Sequence, residues 1–353
     1  ELSTKKSSSL TELADGLLKG DCQAIVLNRA YLDVFDEIDN YASFSSQIRE
    51  IASEQVEKLV ERNTPAPVQT DVQAEDSSDT TQDAAVTDQI YTIFVSGIDT
   101  RGDITASSRS DVNIVLTVNA RTKQVLMIST PRDYYVPLSI SNGVPDKLTH
   151  AGIYGVDVSM QTLEELYDTD IEFFGRVNFT SMTSVVDALG GLDVESDLEF
   201  DTGWESGAEI HVNEGMNHFD GISALAFCRE RQALPDGDNG RGVHQQAVIT
   251  AKMMTPAMRR GASDIIESVS DGVDTNFTSS QIQSLIKTQL RTNAKWNIYS
   301  VAADGTGGTD ICYSSGDEEL YVTYPDENSV AEIIGLIKKV KDGEIIEGSV
   351  STE

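Results

Sequence analysis

Five arginines stand out in a chain that is otherwise strongly acidic. Arg109, Arg132, Arg229, Arg231 and Arg241 each lie just beyond an apolar run or inside a turn, where side chains from strand ends and helix starts converge. A guanidinium fork matches phosphate oxygens bidentately and keeps its charge at any working pH, so a converging set predicts an anion site. The plainer alternative is that each arginine offsets a surface carboxylate of its own. Arg229 and Arg231 are two apart, and in an extended segment they face one way. Arg241 and Gln245 are four apart at a helix start, so they share one face near the positive end of the helix dipole.

Two carboxylates complement this set. Asp99 follows the β-rich run 91–97, and Asp111 opens the run 112–119 after a Gly/Ser/Thr-rich loop, so adjacent strand ends would carry both to one edge of a sheet. Open α/β sheets bind ligands at such edges. One or two carboxylates together with substrate phosphates are the usual way to hold Mg²⁺, which keeps several waters. An Asp after a strand is also a common turn residue. Lys147 and His150 follow closely behind the Pro131-Arg132-Asp133 turn, and His150 reads either as a hydrogen-bonded structural residue or as a base. Arg101-Gly102-Asp103 resembles an integrin-binding tripeptide, and Asn178 and Asn276 fit the glycosylation pattern, but such short matches arise readily by chance. Walker loop, HExxH, GxSxG and paired CxxC patterns are absent.

Positioning these residues takes a sizeable scaffold. The chain has 353 residues, enough for about two domains, and 39% apolar content can fill a core. With 26 basic and 58 acidic side chains the net charge is −32, which repels phosphate backbones and predicts no nucleic-acid partner. No run approaches the ~18 apolar residues of a membrane span. The start at Glu1 reads as a processed protein or soluble piece and leaves a membrane anchor upstream open. Cys22, Cys228 and Cys312 have no metal-ligand spacing. A Cys228–Cys312 disulfide is an alternative to the preferred reading of Cys228 as a buried free thiol.

Residues 1–63 read as a small accessory segment, with helical patterns at 10–18 and 48–60 and a short strand at 24–27. Residues 64–89 are Pro, Thr, Ser, Gln and Asp without Lys, Arg or aromatics, an acidic disordered linker or loop with little that a core could bury. From residue 90 the β-rich runs 91–97, 112–119 and 124–129 predict the centre of a sheet. Further strands are expected at 173–178, 296–301 and 320–323, and helices at 159–167, 182–189, 221–227, 243–258 and 280–289. A last helix should start from Asn328 or Ser329 and stop at Gly343. The pattern predicts a three-layer α/β/α domain with a mixed central sheet over 90–345, followed by a tail over 346–353.

Seven pieces in order resemble the catalytic domain of the LytR-CpsA-Psr proteins of Gram-positive bacteria, over residues 90–343. They are Gly97-Ile98-Asp99, Ser108-Arg109-Ser110-Asp111, Ser129-Thr130-Pro131-Arg132-Asp133, Lys147-Leu148-Thr149-His150-Ala151, Asp187-Ala188-Leu189-Gly190-Gly191, Arg229-Glu230-Arg231 and Asp238-Asn239-Gly240-Arg241. Residues 18–41 are more weakly similar to the accessory segment of the capsule-type, CpsA-like branch. Two positions depart from the family pattern: Thr130 replaces an apolar residue and Cys228 a valine.

The resemblance implies a membrane-anchored phosphotransferase at the extracytoplasmic face of a Gram-positive cell. Such an enzyme moves a capsule, teichoic acid or other wall polymer from a polyprenyl diphosphate carrier onto peptidoglycan, with polyprenyl diphosphate hydrolysis as a side reaction. It implies Mg²⁺ held by Asp99 and Asp111, and a diphosphate held by Arg109, Arg132, Arg229, Arg231, Arg241 and Gln245. Asp99, Arg132, Arg229 and Arg231 would then act on the reacting groups, Asp99 being the first choice of base. A lipid tunnel between sheet and helices is implied too. A non-catalytic sensor of polyprenyl phosphates, regulating polymer export, is the runner-up. A transcriptional regulator is disfavoured by the charge and by the lack of a helix-turn-helix pattern.

Overall fold

The computed structural model describes residues 4–7, 9–27, 31–36, 38–53, 86–98, 107–235, 238–251, 273–316, 318–347 and 350–351. Its N-terminal part contains helices α1 (Leu10–Leu18), α2 (Tyr31–Asp36) and α3 (Phe44–Gln47). Ser9 caps α1 by accepting from the Glu12 amide. Ala14, Phe35 and Phe44 form a small core, with the two phenylalanine rings 4.5 Å apart. The segment docks through Val34 on Ile153, Ile38 on Leu320 and Val322, and a 2.7 Å bond from the Tyr31 hydroxyl to that of Tyr154.

Residues 24–27 are not a strand. Among the described residues no strand pairs with them, and Val26 points to solvent while Ile25 and Leu27 rest on the α1–α3 core. The helix expected over 48–60 is absent from 48–53, and 54–60 lie outside the described residues. So do 64–85 of the expected linker. Val86 is buried against Tyr91 and Val118, in a stretch from which no core residue was expected.

The main body contains β1 (Ile90–Ile98), β2 (Ser110–Asn119), β3 (Gln124–Ser129), β4 (Tyr135–Pro137), β5 (Pro145–Lys147), α4 (Leu148–Ala151), α5 (Val156–Tyr167), β6 (Phe173–Asn178), α6 (Phe179–Ala188), β7 (Leu192–Ser196), β8 (Phe200–Asp201), β9 (His211–Val212), β10 (Gly215–Phe219), α7 (Gly221–Arg229), α8 (Asp238–Thr250), β11 (Asp274–Thr275), α9 (Ser279–Thr292), β12 (Asn297–Ala302), β13 (Gly305–Ile311), β14 (Glu319–Pro325), α10 (Glu327–Asp342) and β15 (Val350–Ser351). The central sheet runs β11-β6-β1-β2-β3-β12-β15. β1–β2 and β2–β3 are antiparallel, whereas β6 and β12 join in parallel on either side, so the sheet is mixed.

Strand side chains alternate between faces, and here the two faces do different work. Phe94, Val115, Leu126 and Ile128 meet Met160, Leu163 and Tyr167 of α5 and Ile333, Ile337 and Val340 of α10 in a dry core. Val95, Val112 and Val177 point the other way, toward α6, α7 and α8, and line a cavity. Helices thus cover both faces, giving the α/β/α layering.

Several boundaries move. Asp326, not Asn328 or Ser329, caps α10, accepting from both of their amides, and Gly343 ends the helix in the left-handed region. α8 begins at Asp238 rather than at Val243, and residues 252–258 of that expected helix lie outside the described residues. β14 pairs with β13, a Gly- and Thr-rich strand without the apolar alternation that marks strands in sequence. Thr130, one of the departures from the family pattern, is buried with its hydroxyl 2.7 Å from that of Tyr167, a packing role that an apolar residue would fill without the hydrogen bond.

Candidate active site

A cavity of about 680 Å³ lies between the sheet and helices α6–α8. Apolar side chains form most of its wall, including Val95, Val112 and Val177 from the sheet, Met182, Val185, Val186 and Leu189 around α6, and Leu225 and Val248 from α7 and α8. Polar side chains collect at one end. Arg109, Asp111, Arg132, Arg229, Arg231, Arg241 and Gln245 all line this one cavity. Every described member of the set singled out in sequence is therefore brought together; Asp99 lies outside the described residues.

Each element end delivers its residue for a local reason. β1 and β2 lose register at Gly97/Ile98, and such irregularities re-aim strand ends next to sites. Arg109 precedes β2 and Asp111 is its second residue, while Arg132 follows β3. Asp111 Oδ1 accepts from Arg132 Nη1 at 2.8 Å and from Thr149 Oγ1 at 3.4 Å. Arg132 Nε is 3.6 Å from Asp133 Oδ1, which in turn pairs with Lys147 Nζ at 2.9 Å. α8 approaches the end of β3 so closely that a Cβ at Gly242 would stand 2.9 Å from Ser129 Oγ. That contact sets Arg241 beside Arg132: with Asp111 and Gln245 they also line a 20 Å³ recess, room for about one water.

Arg229 and Arg231 reach the cavity differently from the extended pair expected. Arg229 is the last residue of α7, Glu230 after it has an extended backbone, and the chain bends again from Gln232. The Arg229 guanidinium lies 4.3 Å from the centroid of the Phe179 ring, a cation–π contact. On another side the backbone of Gly207, at φ +101°, comes so near that a Cβ would stand 3.2 Å from Arg229 Nη1. Arg231 is exposed, so its charge faces the solvent side of the cavity.

Glu230, between the two, has no role among the sequence expectations. It is buried. Oε1 accepts from the amides of Arg231, Gln232 and Ala233 at 2.7–2.9 Å, and Oε2 from the Gly203 amide at 2.7 Å and Ser206 Oγ at 2.8 Å. Burial pushes its carboxyl up, but the bonds from Ala233, Gly203, Ser206 and Gln232 outweigh this and hold it below the usual carboxylate range. Gly203, Glu205 and Ser206 line the cavity too. An acidic residue inside an arginine motif was the available signal; two of its partners, Gly203 and Ser206, lie more than 20 residues upstream and leave no local mark.

Other candidates are structural. His150 is buried, with Nδ1 2.7 Å from Asp146 Oδ1 and 2.9 Å from Ser314 Oγ. The Asn178 side chain is buried and caps α6 through the Ser181 amide, and that of the exposed Asn276 bonds the backbone of Phe174 and Glu172. Arg101-Gly102-Asp103 lies outside the described residues. The three cysteines are free. Cys228 and Cys312 sit in separate apolar clusters, and burial pushes the Cys228 thiol up to about 12.

Fold and site together define an α/β/α domain with an apolar cavity capped by arginines, the architecture of a protein that binds an anionic group attached to a long apolar chain. The chain belongs to the LytR_cpsA_psr family, whose model matches residues 50–331. It is similar to the polyisoprenyl-teichoic acid–peptidoglycan teichoic acid transferase TagU of Bacillus cereus (strain AH820), at 35% identity over 204 residues, or 55% of this chain and 63% of that relative. The match thus spans less than two thirds of that relative's length. The TagU of Bacillus mycoides (strain KBAB4) is 32% identical over 243 residues, 66% of this chain and 73% of the relative. Among solved structures, B. subtilis TagV superposes with a TM-score of 0.60 at 25% identity, covering 72% of this chain and 98% of that one. Among the described residues no helix is long and apolar enough to cross a membrane.

Proposed function

We propose that this protein transfers a polyprenyl-diphosphate-linked wall glycopolymer onto peptidoglycan at the extracytoplasmic face of the cell. The observation that carries the reading is the placement of Arg109, Arg132, Arg229, Arg231 and Arg241 at one end of an apolar cavity. Burying carrier chain is favourable by about 0.8 kcal/mol per CH₂, and the arginines supply the counter-charge that two phosphates need. The relatives named as teichoic acid transferases support the same chemistry.

In the proposed reaction a sugar hydroxyl of peptidoglycan attacks the phosphorus that bears the polymer. The bond from that phosphorus to the oxygen bridging the two phosphates breaks, polyprenyl phosphate leaves, and the hydroxyl proton passes to a base, for which Asp99 is the candidate. Arg132, Arg229 and Arg231 stabilise the charge that gathers on the leaving phosphate. Asp111 suits a Mg²⁺ ligand: one oxygen is held by Arg132, and among the described residues Oδ2 accepts no hydrogen bond. With Asp99 it would hold the ion, which when bound neutralises diphosphate charge.

The test is to incubate the protein with a radiolabelled polyprenyl diphosphate sugar, with and without Mg²⁺ and peptidoglycan fragments. Label moving onto peptidoglycan in a Mg²⁺-dependent way is expected. Tight lipid binding with neither transfer nor cleavage would instead make the protein a sensor.

A further inference from the structure

The hairpin β13–β14 presents two unlike faces. On the inner face Leu320 and Val322 are buried with Ile38 and Cys312. Among the described residues the outer face is uncovered, and it carries Tyr321, 57% exposed, and Ile311, 47% exposed. Tyr321 pairs in register with Thr309, and Thr323 with Gly307. A Cβ at Gly307 would stand 2.7 Å from Tyr321 Oη and 3.2 Å from Cε2, so the tyrosine lies across the glycine with its ring against the sheet. Beside it, Thr309 Oγ1 donates to Glu319 Oε2 at 3.2 Å.

We infer that this face is a saccharide platform that docks a neutral, N-acetylated glycan chain, the acceptor in the reaction proposed above, on which the inference rests. A pyranose ring has an apolar C–H face that stacks on a flat exposed aromatic ring, and its hydroxyl and amide hydrogens need acceptors close by. Tyr321 supplies the first, and Thr309 and Glu319 the second. Charge decides between polymers: residues 303–326 contain six carboxylates, Asp304, Asp310, Asp317, Glu318, Glu319 and Asp326, and no lysine or arginine. Glu319 lies on the outer face itself, and a polyphosphate chain is repelled from a segment of this charge, whereas a neutral glycan is not. The platform is tied by its backbone to the segment that carries Arg132. The Thr323 amide donates to the Asp133 carbonyl at 2.8 Å, next to Arg132, and β13 starts three residues after Ala302, which lines the recess shared by Arg132 and Arg241.

Titration of the whole chain with tetra-N-acetylchitotetraose, followed calorimetrically and by saturation transfer to the sugar protons, tests this. Wild type should bind, Tyr321→Ala should bind at least tenfold more weakly, and Tyr321→Phe should stay within about twofold of wild type. In wild type alone, the sugar should protect Tyr321 from nitration, read by peptide mass mapping, which needs no folded variant. Absence of binding, equal affinity in Tyr321→Ala, unprotected Tyr321, or equal binding of an oligo(glycerol phosphate) would each overturn the inference. Acceptor-free cleavage of a carrier diphosphate should be unchanged in Tyr321→Ala. If wild type binds the sugar but cleaves no carrier, the transfer reading fails and the saccharide platform stands.

Discussion

Ser206 Oγ lies 2.8 Å from Glu230 Oε2, which ties the segment around Ser206 to the arginine-bearing turn after α7. The same oxygen holds the Gly203 amide, so one carboxylate fixes both the wall of the cavity mouth and the backbone that carries Arg229 and Arg231. Glu230→Gln sets an amide N–H₂ against donors on at least one side. Each buried donor left unmet costs about 1–3 kcal/mol. We expect at least a tenfold loss of carrier turnover and faster proteolysis near residue 204, measured by kinetics and limited digestion. Wild-type turnover with intact protection would show that the carboxylate holds neither element.

Arg229 illustrates why lysine is no substitute at this site. Its guanidinium stacks on Phe179, and a planar fork can stack while bonding phosphate, whereas an ammonium is a compact, strongly hydrated point charge. Arg229→Lys should weaken binding of a polyprenyl diphosphate about tenfold or more. Phe179→Leu, which removes only the ring, should cost about 0.5–1 kcal/mol. Binding measured in detergent micelles for both variants checks the order; a larger effect from Phe179→Leu would count against it.

How much of this could be read in advance depended on whether the signal was local. The arginines stood out because each sits at an element end in an acidic chain, and the structure brings all five to one cavity. Strands β1 to β3 were legible because both of their faces are covered, which leaves long apolar runs. β13 was not: its glycines make room for the rings of Tyr321 and Tyr324, so its pattern is set by a neighbouring strand. The Asp-Asn-Gly at 238–240 lies ahead of the helix expected from Val243 but opens α8. The apolar run 24–27 reads as a strand, yet among the described residues finds no partner to pair with. The cavity wall comes from the sheet and three helices, and residues so far apart share no spacing.

Asp111 lets the role proposed for Mg²⁺ be tested apart from the contact with Arg132. Asp111→Asn keeps a carbonyl oxygen to accept from Arg132, so the contact now 2.8 Å long can survive, while the negative charge that favours a divalent ion is gone. Turnover should fall by two orders of magnitude or more and require higher Mg²⁺. Lipid affinity should change far less, since the apolar chain supplies most of it. An unchanged Mg²⁺ dependence in the variant would remove Asp111 from the metal.

His244 gives the fold a pH dependence that can be tested. It is buried, stacked 4.0 Å from the Phe227 ring and 5.2 Å from that of Phe200, and burial pushes its pKa below the ordinary histidine value. As pH falls through that ordinary value the unfolded chain takes up a proton that the folded one does not, so stability is lost. The loss continues until the pH reaches the lower folded value, at no more than about 1.4 kcal/mol per pH unit. His244→Phe keeps a ring in the stack and removes the titration. Urea melts between pH 7 and pH 5 should show a shallower decline in the variant, and parallel curves would refute the assignment.

The cavity's apolar wall can be tested apart from its charged end. Met182 is on α6, partly buried, and lines the cavity one turn along the helix from Phe179. Met182→Trp adds bulk where carrier chain would lie, and overpacking costs about 1–3 kcal/mol. A long-chain polyprenyl diphosphate should bind at least tenfold more weakly. A short, water-soluble alkyl diphosphate, held by the arginines with little chain to bury, should bind as it does to wild type. Each CH₂ excluded removes about 0.8 kcal/mol, so the penalty should grow with chain length across a homologous series until the cavity is full. Equal losses for short and long chains would mean that the substitution disturbs the arginines, and no loss for either would mean that the chain takes another path.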